Sequence, residues 1–530
     1  MAGVKGSEMR KLSLAVAAVA ACAMGEIRAE RFDYGRLLVE DGPRKGLKVE
    51  DNVRWLEEGK VPDYAVANVI SWLSQMGADV AKFRERYRPV EPGLGEPLAK
   101  RKGFRLGYML DISRDKVPTL ETLKTIAALL GKLGFDEFQL YTEHAFAYEG
   151  HEAAWKNWTP VTSADVRALD AFCASQGVTL VPNQNSFGHM EKWLRHPEYR
   201  HLAETPDGYT VDWHPALKNR PPCAVCPTDE KTYEFLDGLY AQLLPNFSRA
   251  KTINVGCDEV WDIFDKNGRS AAKVREKGVA RTYMDHMLRV HDLLAKRGFR
   301  MAFWADMALY CPELLDEIPK DSLALLWNYG SEYHDPGITA ENEGRAIALT
   351  RRGLDFAVCP STRTYGTWFG QTDRMKGNVS MMESIARKYG AKGLLITTWG
   401  DGGHRVPFLA EVPALVYAAA RVRGEDPDDG ALAAAIDRAL GCRVGAALVE
   451  LGRVDGKDKR ASAKVRRQVR RADLASAPDW VKRGFAMFEV AADFIEGKSG
   501  CGARYRALWL ADNRAGGLKE SMAEIGFDNE

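Results

Sequence analysis

From Phe104 onward, short apolar runs alternate with longer segments of helical periodicity. The runs are about eight residues long, as buried strands are, and the segments between them repeat apolar residues three and four positions apart. The predicted strands are 104–111, 137–146, 178–186, 252–259, 300–307, 323–329, 355–361 and 393–399. The predicted helices are 120–133, 164–176, 231–244, 282–297, 312–318, 340–352 and 380–389.

Several predicted helices end in a glycine just before the next strand, which is a common way for a helix to stop. These glycines are Gly134, Gly177, Gly298, Gly353 and Gly390. A regular strand–helix alternation of this kind predicts an α/β fold, the (β/α)8 TIM barrel. A doubly wound open sheet is the competing arrangement, but no glycine-rich phosphate-binding turn follows the first strand.

The segment 1–29 is predicted to be a signal peptide. Arg10 and Lys11 precede a short apolar run at 12–21, which is too short to span a bilayer as a helix. The tetrapeptide that ends at Cys22 also resembles a bacterial lipobox, so a lipid anchor is possible. We expect an exported bacterial protein that is periplasmic, secreted or an outer-membrane lipoprotein, without a transmembrane helix.

The chain has 530 residues, which exceeds one typical domain. We expect a mixed N-terminal region at 30–100, a catalytic barrel at 101–410 and a C-terminal helical domain at 411–530. A turn-rich stretch at 91–97 marks the first boundary. The net charge of +1 gives no reason to expect binding to nucleic acid or to an anionic membrane.

Cys223 and Cys226 form the one close cysteine pair. Free thiols, a local disulfide and a metal site remain open for this pair, although a lone C-x-x-C is weak evidence for zinc. No other cluster has metal-ligand spacing and no cofactor motif is present, so we predict that no metal or cofactor is needed.

The apolar run 252–259 ends in Asp258 and Glu259, and the other predicted strands also end in polar or aromatic residues. In a barrel of this type the carboxyl ends of the strands converge on one site. The residues predicted to bind substrate there are Glu143, Asn185, His189, Trp304, Asp306, Trp327, Tyr329, Tyr365, Trp399 and Asp401, with Arg105 at the start of the first strand. Many acids and aromatic rings without a cofactor motif suggest a neutral, polyhydroxylated substrate.

Four segments resemble glycoside hydrolase family 20, the β-N-acetylhexosaminidases. The sequence Gly-Cys-Asp-Glu-Val at 256–260 and Phe-Gly-His-Met-Glu at 187–191 look like the hexosaminidase D branch, and 104–111 is similar to the family's opening strand. Residues 513–518 resemble a late helical motif. Cys257 departs from the common signature, where glycine stands, and the acetamide-binding tyrosine could be Tyr365 or Tyr329, with Trp368 also open.

This resemblance implies an exo-acting, retaining enzyme in which the substrate's own acetamido oxygen is the nucleophile. It implies that Glu259 is the general acid/base and that Asp258 orients the acetamide. Arg105 would hold sugar hydroxyls, Trp327 and Trp399 would be pocket walls, and Asp401 would bind O4 or O6. The implied partner is a glycan with a terminal N-acetylhexosamine; the oligomeric state stays open.

Two alternatives remain at this stage. A barrel glycosidase with a protein nucleophile would use Glu143 or Asp306 as its second carboxylate. A carbohydrate-binding lipoprotein without turnover would keep the barrel, although the intact pair of Asp258 and Glu259 argues against that.

Overall fold

The computed structural model describes residues 49–58, 69–70, 73, 78–86, 96–211, 216–309, 312–335, 337–456, 458 and 460–527. The predicted signal peptide, Cys22 and most of the predicted N-terminal region lie outside the described residues.

Eight parallel strands build the sheet, in the order β3-β2-β1-β8-β7-β6-β5-β4. They are β1 Arg105–Asp111, β2 Glu137–Tyr141, β3 Thr179–Val181, β4 Thr252–Asn254, β5 Arg300–Trp304, β6 Leu323–Trp327, β7 Asp355–Cys359 and β8 Gly393–Thr398. The two edge strands meet through backbone hydrogen bonds: Asn254 N–H donates to Pro182 O at 3.0 Å, and Gln184 N–H donates to Asn254 O at 2.9 Å. The sheet is therefore a nearly closed barrel, which confirms the predicted fold.

Helices surround the barrel and continue beyond it. They are α1 Val49–Glu57, α2 Ala81–Arg86, α3 Leu120–Leu133, α4 Glu152–Trp155, α5 Ser163–Ser175, α6 Glu191–Leu194, α7 Pro197–Arg200, α8 Glu230–Leu243, α9 Ala271–Ala295, α10 Asp306–Leu309, α11 Ile338–Arg351, α12 Thr372–Tyr389, α13 Val412–Val422, α14 Asp429–Leu440, α15 Gly445–Leu451, α16 Ala461–Arg471, α17 Asp479–Ile495, α18 Cys501–Asp512 and α19 Leu518–Ile525. Shorter 3-10 turns lie at Leu98–Lys100, Leu244–Asn246, Asp262–Phe264, Pro312–Glu317 and Phe408–Glu411.

Local sequence determines where several of these helices begin and end. Thr119 caps α3 by accepting a hydrogen bond from Thr122 N–H at 3.2 Å, and Gly134 ends the helix with a φ of 82°. Each glycine at which a helix end is predicted has a positive φ. The segment 312–318 is different, because it is a 3-10 helix that follows the short helix α10.

The strands are shorter than the apolar runs predict. β4 ends at Asn254 rather than at residue 259, and β3 ends at Val181 rather than at residue 186. Beyond these points the backbone leaves the ladder and turns into loops at the carboxyl end of the barrel. Asp258 and Glu259 therefore stand on a loop, as two neighbouring residues must if both face one site.

The C-terminal helices pack directly on the barrel. Gly484 of α17 allows this approach, because an added Cβ would lie 2.6 Å from a side-chain carbon of Leu409. Phe408 also packs on Trp480 of α17, with ring centroids 5.7 Å apart. One continuous hydrophobic core runs from the barrel into these helices, so the division at residue 411 stays a prediction.

None of the helices in the described part of the chain combines the length and the hydropathy that crossing a bilayer requires.

Candidate functional site

The loop after β4 presents the two catalytic candidates from a strained backbone. Gly256, Cys257 and Glu259 have φ angles of 68°, 69° and 47°. This left-handed region is unfavourable for residues with a Cβ, so contacts from outside the loop must hold it. Gly256 is needed at its position, because an added Cβ would lie 1.9 Å from Asn185 Oδ1.

Hydrogen bonds from β5, from the residues that follow it and from α9 hold this loop. Trp304 N–H donates to Gly256 O at 2.9 Å, and Tyr283 Oη donates to Cys257 O at 2.9 Å. Glu259 N–H donates to Asp306 Oδ2 at 3.2 Å. Together these hydrogen bonds hold the strained loop in one conformation. They therefore set the direction in which Asp258 and Glu259 point.

His189, from the loop after β3, contacts both acids. Its Nε2 lies 3.3 Å from Asp258 Oδ2 and 3.6 Å from Glu259 Oε2. Burial disfavours the imidazolium, but the Asp258 carboxylate outweighs this effect and raises the pKa of His189 to about 10. His189 is therefore cationic at neutral pH and lowers the repulsion between the two acids.

Gly188 allows the loop of His189 to approach that of Asp258. An added Cβ at Gly188 would lie 2.5 Å from the Asp258 carbonyl oxygen. The close backbone contact explains why a residue without a side chain directly precedes His189 in the motif at 187–191.

Glu259 is the most accessible acid of the group, with 42% of its side chain exposed. Loss of surrounding water raises its pKa above the ordinary value; the cation of His189 opposes this shift and the charge of Asp258 reinforces it. A carboxyl group with a raised pKa keeps its proton to higher pH. Glu259 can thus donate a proton to a substrate that enters from the open side.

Asp258 is 7% exposed, and one of its two carboxylate oxygens has no hydrogen-bond donor among the described residues. Its Oδ2 faces His189, but its Oδ1 is buried and has no hydrogen-bond partner among the described residues. Buried carboxylate oxygens normally accept hydrogen bonds, so Oδ1 lacks the donor that a buried acceptor usually has.

Asp306 is the third acid of the group. Burial raises its pKa to about 8, and the charges of Asp258 and Glu259 add to this effect. Both of its oxygens are engaged, since Trp327 Nε1 donates to Oδ1 at 3.2 Å and Glu259 N–H donates to Oδ2. Asp306 therefore holds two groups in place, the loop that carries Glu259 and the indole ring of Trp327.

Arg105 does not lie at the site. It begins β1, at the opposite end of the barrel from Asp258, and its guanidinium donates to Glu137 and to Asp136 O, the latter at 3.1 Å. The role predicted for Arg105 is therefore wrong, because a sugar bound at the carboxyl ends of the strands is out of its reach.

Arg114 lies at the site instead. Its Nη1 is 3.3 Å from Asp111 Oδ2 and 3.5 Å from Glu143 Oε1, and its Nη2 is 3.9 Å from Asp401 Oδ1. The guanidinium also lies over the ring of Trp399, 5.1 Å from its centroid. In the sequence Arg114 follows the carboxyl end of the first strand, but the arginine predicted to bind substrate was Arg105.

Glu143 and Asn185 form a buried polar layer with Tyr141. Tyr141 Oη donates to Glu143 Oε1 at 3.1 Å and accepts from Asn185 Nδ2 at 2.7 Å. Burial raises the pKa of Glu143 to about 7, with Arg114 opposing the shift. Asn185 is fully buried, so it supports Tyr141 rather than facing the opening of the site.

The predicted aromatic residues meet in one cluster. Trp399 Nε1 donates to Tyr329 Oη at 2.7 Å, and Tyr329 stacks on Trp327 with centroids 5.2 Å apart. Tyr365 lies 6.3 Å from the Tyr329 ring. Trp304 is 1% exposed and forms the floor of the cluster. The wide ring faces of this cluster suit the apolar face of a sugar.

Asp401 and Trp368 mark the edge of the site. Asp401 follows β8 and has 56% of its side chain exposed, beside Arg114. Trp368 instead packs on Phe494 of α17, with centroids 5.7 Å apart. Of the residues left open for the acetamide-binding role, Tyr365 and Tyr329 belong to the cluster and Trp368 does not.

The cysteine pair forms no bond. Cys223 and Cys226 are free and buried, and the Cys223 thiol donates to Asp262 Oδ1 at 3.4 Å. Over the described ranges, no group of His, Cys, Asp and Glu has the arrangement of a metal site. This leaves free thiols as the state of the pair.

We expect Tyr283→Phe to lower kcat roughly tenfold with little change in KM. The change leaves the buried Cys257 carbonyl without its donor, which costs about 1–3 kcal/mol and lets the strained loop relax. Tyr505→Phe removes another buried hydroxyl, which contacts Ser521 Oγ at 3.0 Å in the C-terminal helices. Equal effects of the two variants on kcat, measured with thermal melting alongside, would contradict a positioning role for Tyr283.

Comparisons with known proteins show which family and which relatives the chain resembles. Residues 136–388 match the family model described as glycosyl hydrolase family 20, catalytic domain. The chain is similar to hexosaminidase D of Bos taurus, with 23% identity over 226 residues, which cover 41% of this chain and 60% of that protein. It is also similar to a beta-hexosaminidase of Vibrio furnissii, with 22% identity over 292 residues, covering 49% of this chain and 43% of that protein.

A similar solved structure is a chitobiase of Flavobacterium johnsoniae. The TM-score is 0.51 at 14% identity, over 80% of this chain and 68% of that chain. At this identity the likeness shows the fold alone. The curated relatives named above are matched over 60% and 43% of their lengths, so they do not determine what the whole chain does.

Proposed function

We infer that this chain, which carries a glycosyl hydrolase family 20 catalytic domain, is an exo-acting, retaining β-N-acetylhexosaminidase. It would release terminal β-linked GlcNAc or GalNAc with the substrate's own acetamide as the nucleophile. The protein then has to orient the acetamide, move one proton and stabilise the positive charge that develops on the sugar.

The free acceptor of Asp258 carries this proposal. Its buried Oδ1 has no donor in the described part of the chain, which is unfavourable unless a ligand supplies one. An acetamide N–H is such a donor. Once the N–H is held by Asp258, the acetamide carbonyl oxygen can be turned toward the anomeric carbon. The carboxylate, which is 7% exposed, also stabilises the oxazolinium charge.

Glu259 supplies the proton. It protonates the glycosidic oxygen while the acetamido oxygen bonds to the anomeric carbon, so the aglycone leaves as an alcohol and the cyclic oxazolinium forms. The resulting Glu259 carboxylate then takes a proton from water, which attacks the anomeric carbon and reopens the ring. Two displacements at the same carbon leave the product in the β configuration.

A protein nucleophile has less support. Burial raises the pKa values of the two candidates, Asp306 and Glu143, to about 8 and about 7, which favours their protonated forms more than in ordinary carboxyl groups. Both also accept hydrogen bonds from neighbouring side chains. Protonated and engaged carboxyl groups are poor nucleophiles.

Sugar recognition in this proposal divides between polar and aromatic groups. Arg114 and Asp401 face the hydroxyl groups, and Trp327, Tyr329 and Trp399 offer ring faces to the pyranose. Export stays a proposal as well, supported by the charged and apolar pattern of residues 10–21.

A series of aryl β-glycosides tests the proposal. We expect the 2-acetamido substrate to be hydrolysed, and kcat to fall steeply as the acetamide carries one, two and three fluorine atoms, because fluorine withdraws electrons from the attacking oxygen. The 2-hydroxy glucoside should be a very poor substrate. A kcat that does not change with the number of fluorine atoms would instead support a protein nucleophile. Binding without turnover would support a carbohydrate-binding protein.

A further inference from the structure

A turn between two C-terminal helices packs on the outer side of the loops that carry site residues. This turn, residues 513–517, joins α18 to α19 and has no part in the function proposed above. On one side it contacts the loop after β1, residues 112–119. On the other side it contacts the segment between β2 and α5, residues 142–162, where Gly516 N–H donates to Thr159 Oγ1 at 2.8 Å.

Backbone hydrogen bonds join the turn to the loop after β1. Arg514 N–H donates to Val117 O at 2.8 Å, and Thr119 N–H donates to Asp512 O at 3.0 Å. The two bonds run in opposite directions between the two segments. They therefore fix the loop after β1 against the end of α18.

Gly517 brings the turn against the residue that directly follows Arg114. An added Cβ at Gly517 would lie 1.9 Å from Asp115 O, and the φ of Gly517 is 78°, so this position requires glycine. The side chain of Asp115 is held as well, because its Oδ2 accepts from His404 N–H of the loop after β8 at 2.8 Å. In such close packing, a shift of the Asp115 backbone would carry Arg114 with it.

The contact with the segment after β2 is equally close. An added Cβ at Gly516 would lie 2.1 Å from Trp158 O. Arg514 Nη1 donates to Pro160 O at 2.8 Å, and its Nη2 lies 2.9 Å from Asp165 Oδ2 in the first turn of α5. The turn thus holds both segments at once.

The same two segments meet again on their inner side, at Arg114. Arg114 Nη1 lies 3.5 Å from Glu143 Oε1, and Glu143 N–H donates to Ser113 Oγ at 2.8 Å. Asp111 accepts from Arg114 N–H at 3.1 Å and so holds Arg114 on its own strand end. The distance from Arg114 to Glu143 depends in addition on how the two segments lie relative to each other.

We propose that the turn 513–517 is a positioning element of the substrate site: it holds the segments after β1 and β2 together and thereby keeps Arg114 beside Glu143 and Asp401. The proposal rests on the function proposed above, in which Arg114 and Asp401 face the sugar hydroxyl groups. A misplacement of about 1 Å by a distant mutation can cost roughly 10²-fold in rate. The turn itself acts on the sugar only through Arg114.

Gly517→Ala tests the proposal, because the added Cβ must push the turn away from Asp115. We expect the Kd of GlcNAc, measured by calorimetry, to rise roughly three- to tenfold, as the partial loss of a hydrogen bond from a charged group does. The KM for an aryl GlcNAc glycoside should rise with it while kcat changes little, because Arg114 contacts Glu143 and Asp401 and supports binding rather than proton transfer.

A milder variant and a control accompany this change. Arg514→Gln removes the ion pair with Asp165 but keeps the backbone of the turn, so it should raise the Kd by a smaller factor. Gly500→Ala, just before α18, is the control: Gly500 has a φ of 75°, but an added Cβ there meets no atom within 4 Å. It introduces similar backbone strain without the contact, so the Kd should stay at the wild-type value. Thermal melting of each variant measures its stability.

A double-mutant cycle with Arg114→Gln separates positioning from a general loss of stability. If the turn acts through Arg114, Gly517→Ala should change the Kd less than about twofold once Arg114 is replaced. Hydrogen exchange in residues 112–119 should become faster in Gly517→Ala but not in Gly500→Ala. If Gly517→Ala does not fold, the same cycle is measured with Arg514→Gln.

Three results would overturn the proposal: a wild-type Kd in the folded turn variants, a wild-type Kd in Arg114→Gln, or independent, multiplicative effects of the two substitutions. The wild-type assay keeps this outcome apart from the proposed function. Hydrolysis with independent effects contradicts the positioning role alone, and binding of GlcNAc without hydrolysis contradicts the proposed function alone. A protein that neither binds GlcNAc nor hydrolyses its glycosides would contradict both.

Discussion

Replacing Glu259 by glutamine is expected to lower kcat on GlcNAc-β-1,4-GlcNAc roughly 10²–10⁴-fold, with KM changed little. The amide keeps the shape of the side chain but can neither donate the proton to the glycosidic oxygen nor accept one from water. The loss should be smaller on a 2,4-dinitrophenyl glycoside, because that leaving group departs without a proton. Steady-state kinetics on both substrates measures this difference.

The pH profile gives a second readout for Glu259. Activity of the wild-type enzyme should fall at alkaline pH as Glu259 loses its proton, and this limb should lie above the range of an ordinary glutamate because its pKa is raised. On the 2,4-dinitrophenyl glycoside, the Glu259→Gln variant should not show this fall in activity at alkaline pH. Glu121→Gln, at an acid of α3 with 81% of its side chain exposed, should behave as wild type. An unchanged rate in the purified Glu259→Gln protein would remove this residue from the mechanism.

Replacing Asp258 by asparagine is expected to lower kcat roughly 10²–10³-fold, as the loss of a well-placed electrostatic contact does. The amide cannot stabilise the positive oxazolinium, and the acceptor that holds the acetamide N–H is weakened. A thiazoline that mimics the cyclic intermediate binds tightly if the site is complementary to the transition state. We therefore expect its Ki to rise far more in this variant than the Kd of GlcNAc.

The control for Asp258 is Asp292→Asn on α9, where 74% of the acid side chain is exposed. NMR at early times should show a product of retained β configuration in both proteins. A fluorosugar that became covalently attached to Glu143 or Asp306, or an inverted product, would contradict the role of Asp258.

The sequence predicted the barrel well because the signals for strands, helices and helix ends lie within a few neighbouring residues. The alternation of apolar runs with helical spacing, and glycines such as Gly134 and Gly390, depend on neighbouring residues and backbone geometry. The predicted ends of the strands were less accurate, as at Asn254. Polar groups of neighbouring strands decide where the hydrogen bonds between two strands stop. The pair of Asp258 and Glu259 was also visible in the sequence, since the two acids directly follow a buried run.

The assembly of the site depended on tertiary structure. The contacts of Arg114 with Glu143 and Asp401 join loops that follow three different strands, and the sequence does not show them. The contact between His189 and Asp258 joins two loops that are distant in the sequence. Residues such as Tyr283, which holds the strained loop from α9, carry no motif of their own.

The sequence by itself therefore determined the fold class, the strand that carries the acids and their chemical type. Tertiary structure decided which groups surround Arg114 and which oxygen of Asp258 is left without a donor among the described residues. The physical reason is that periodicity and capping act over a few residues, whereas burial, pKa shifts and ion pairing depend on groups brought together from different loops.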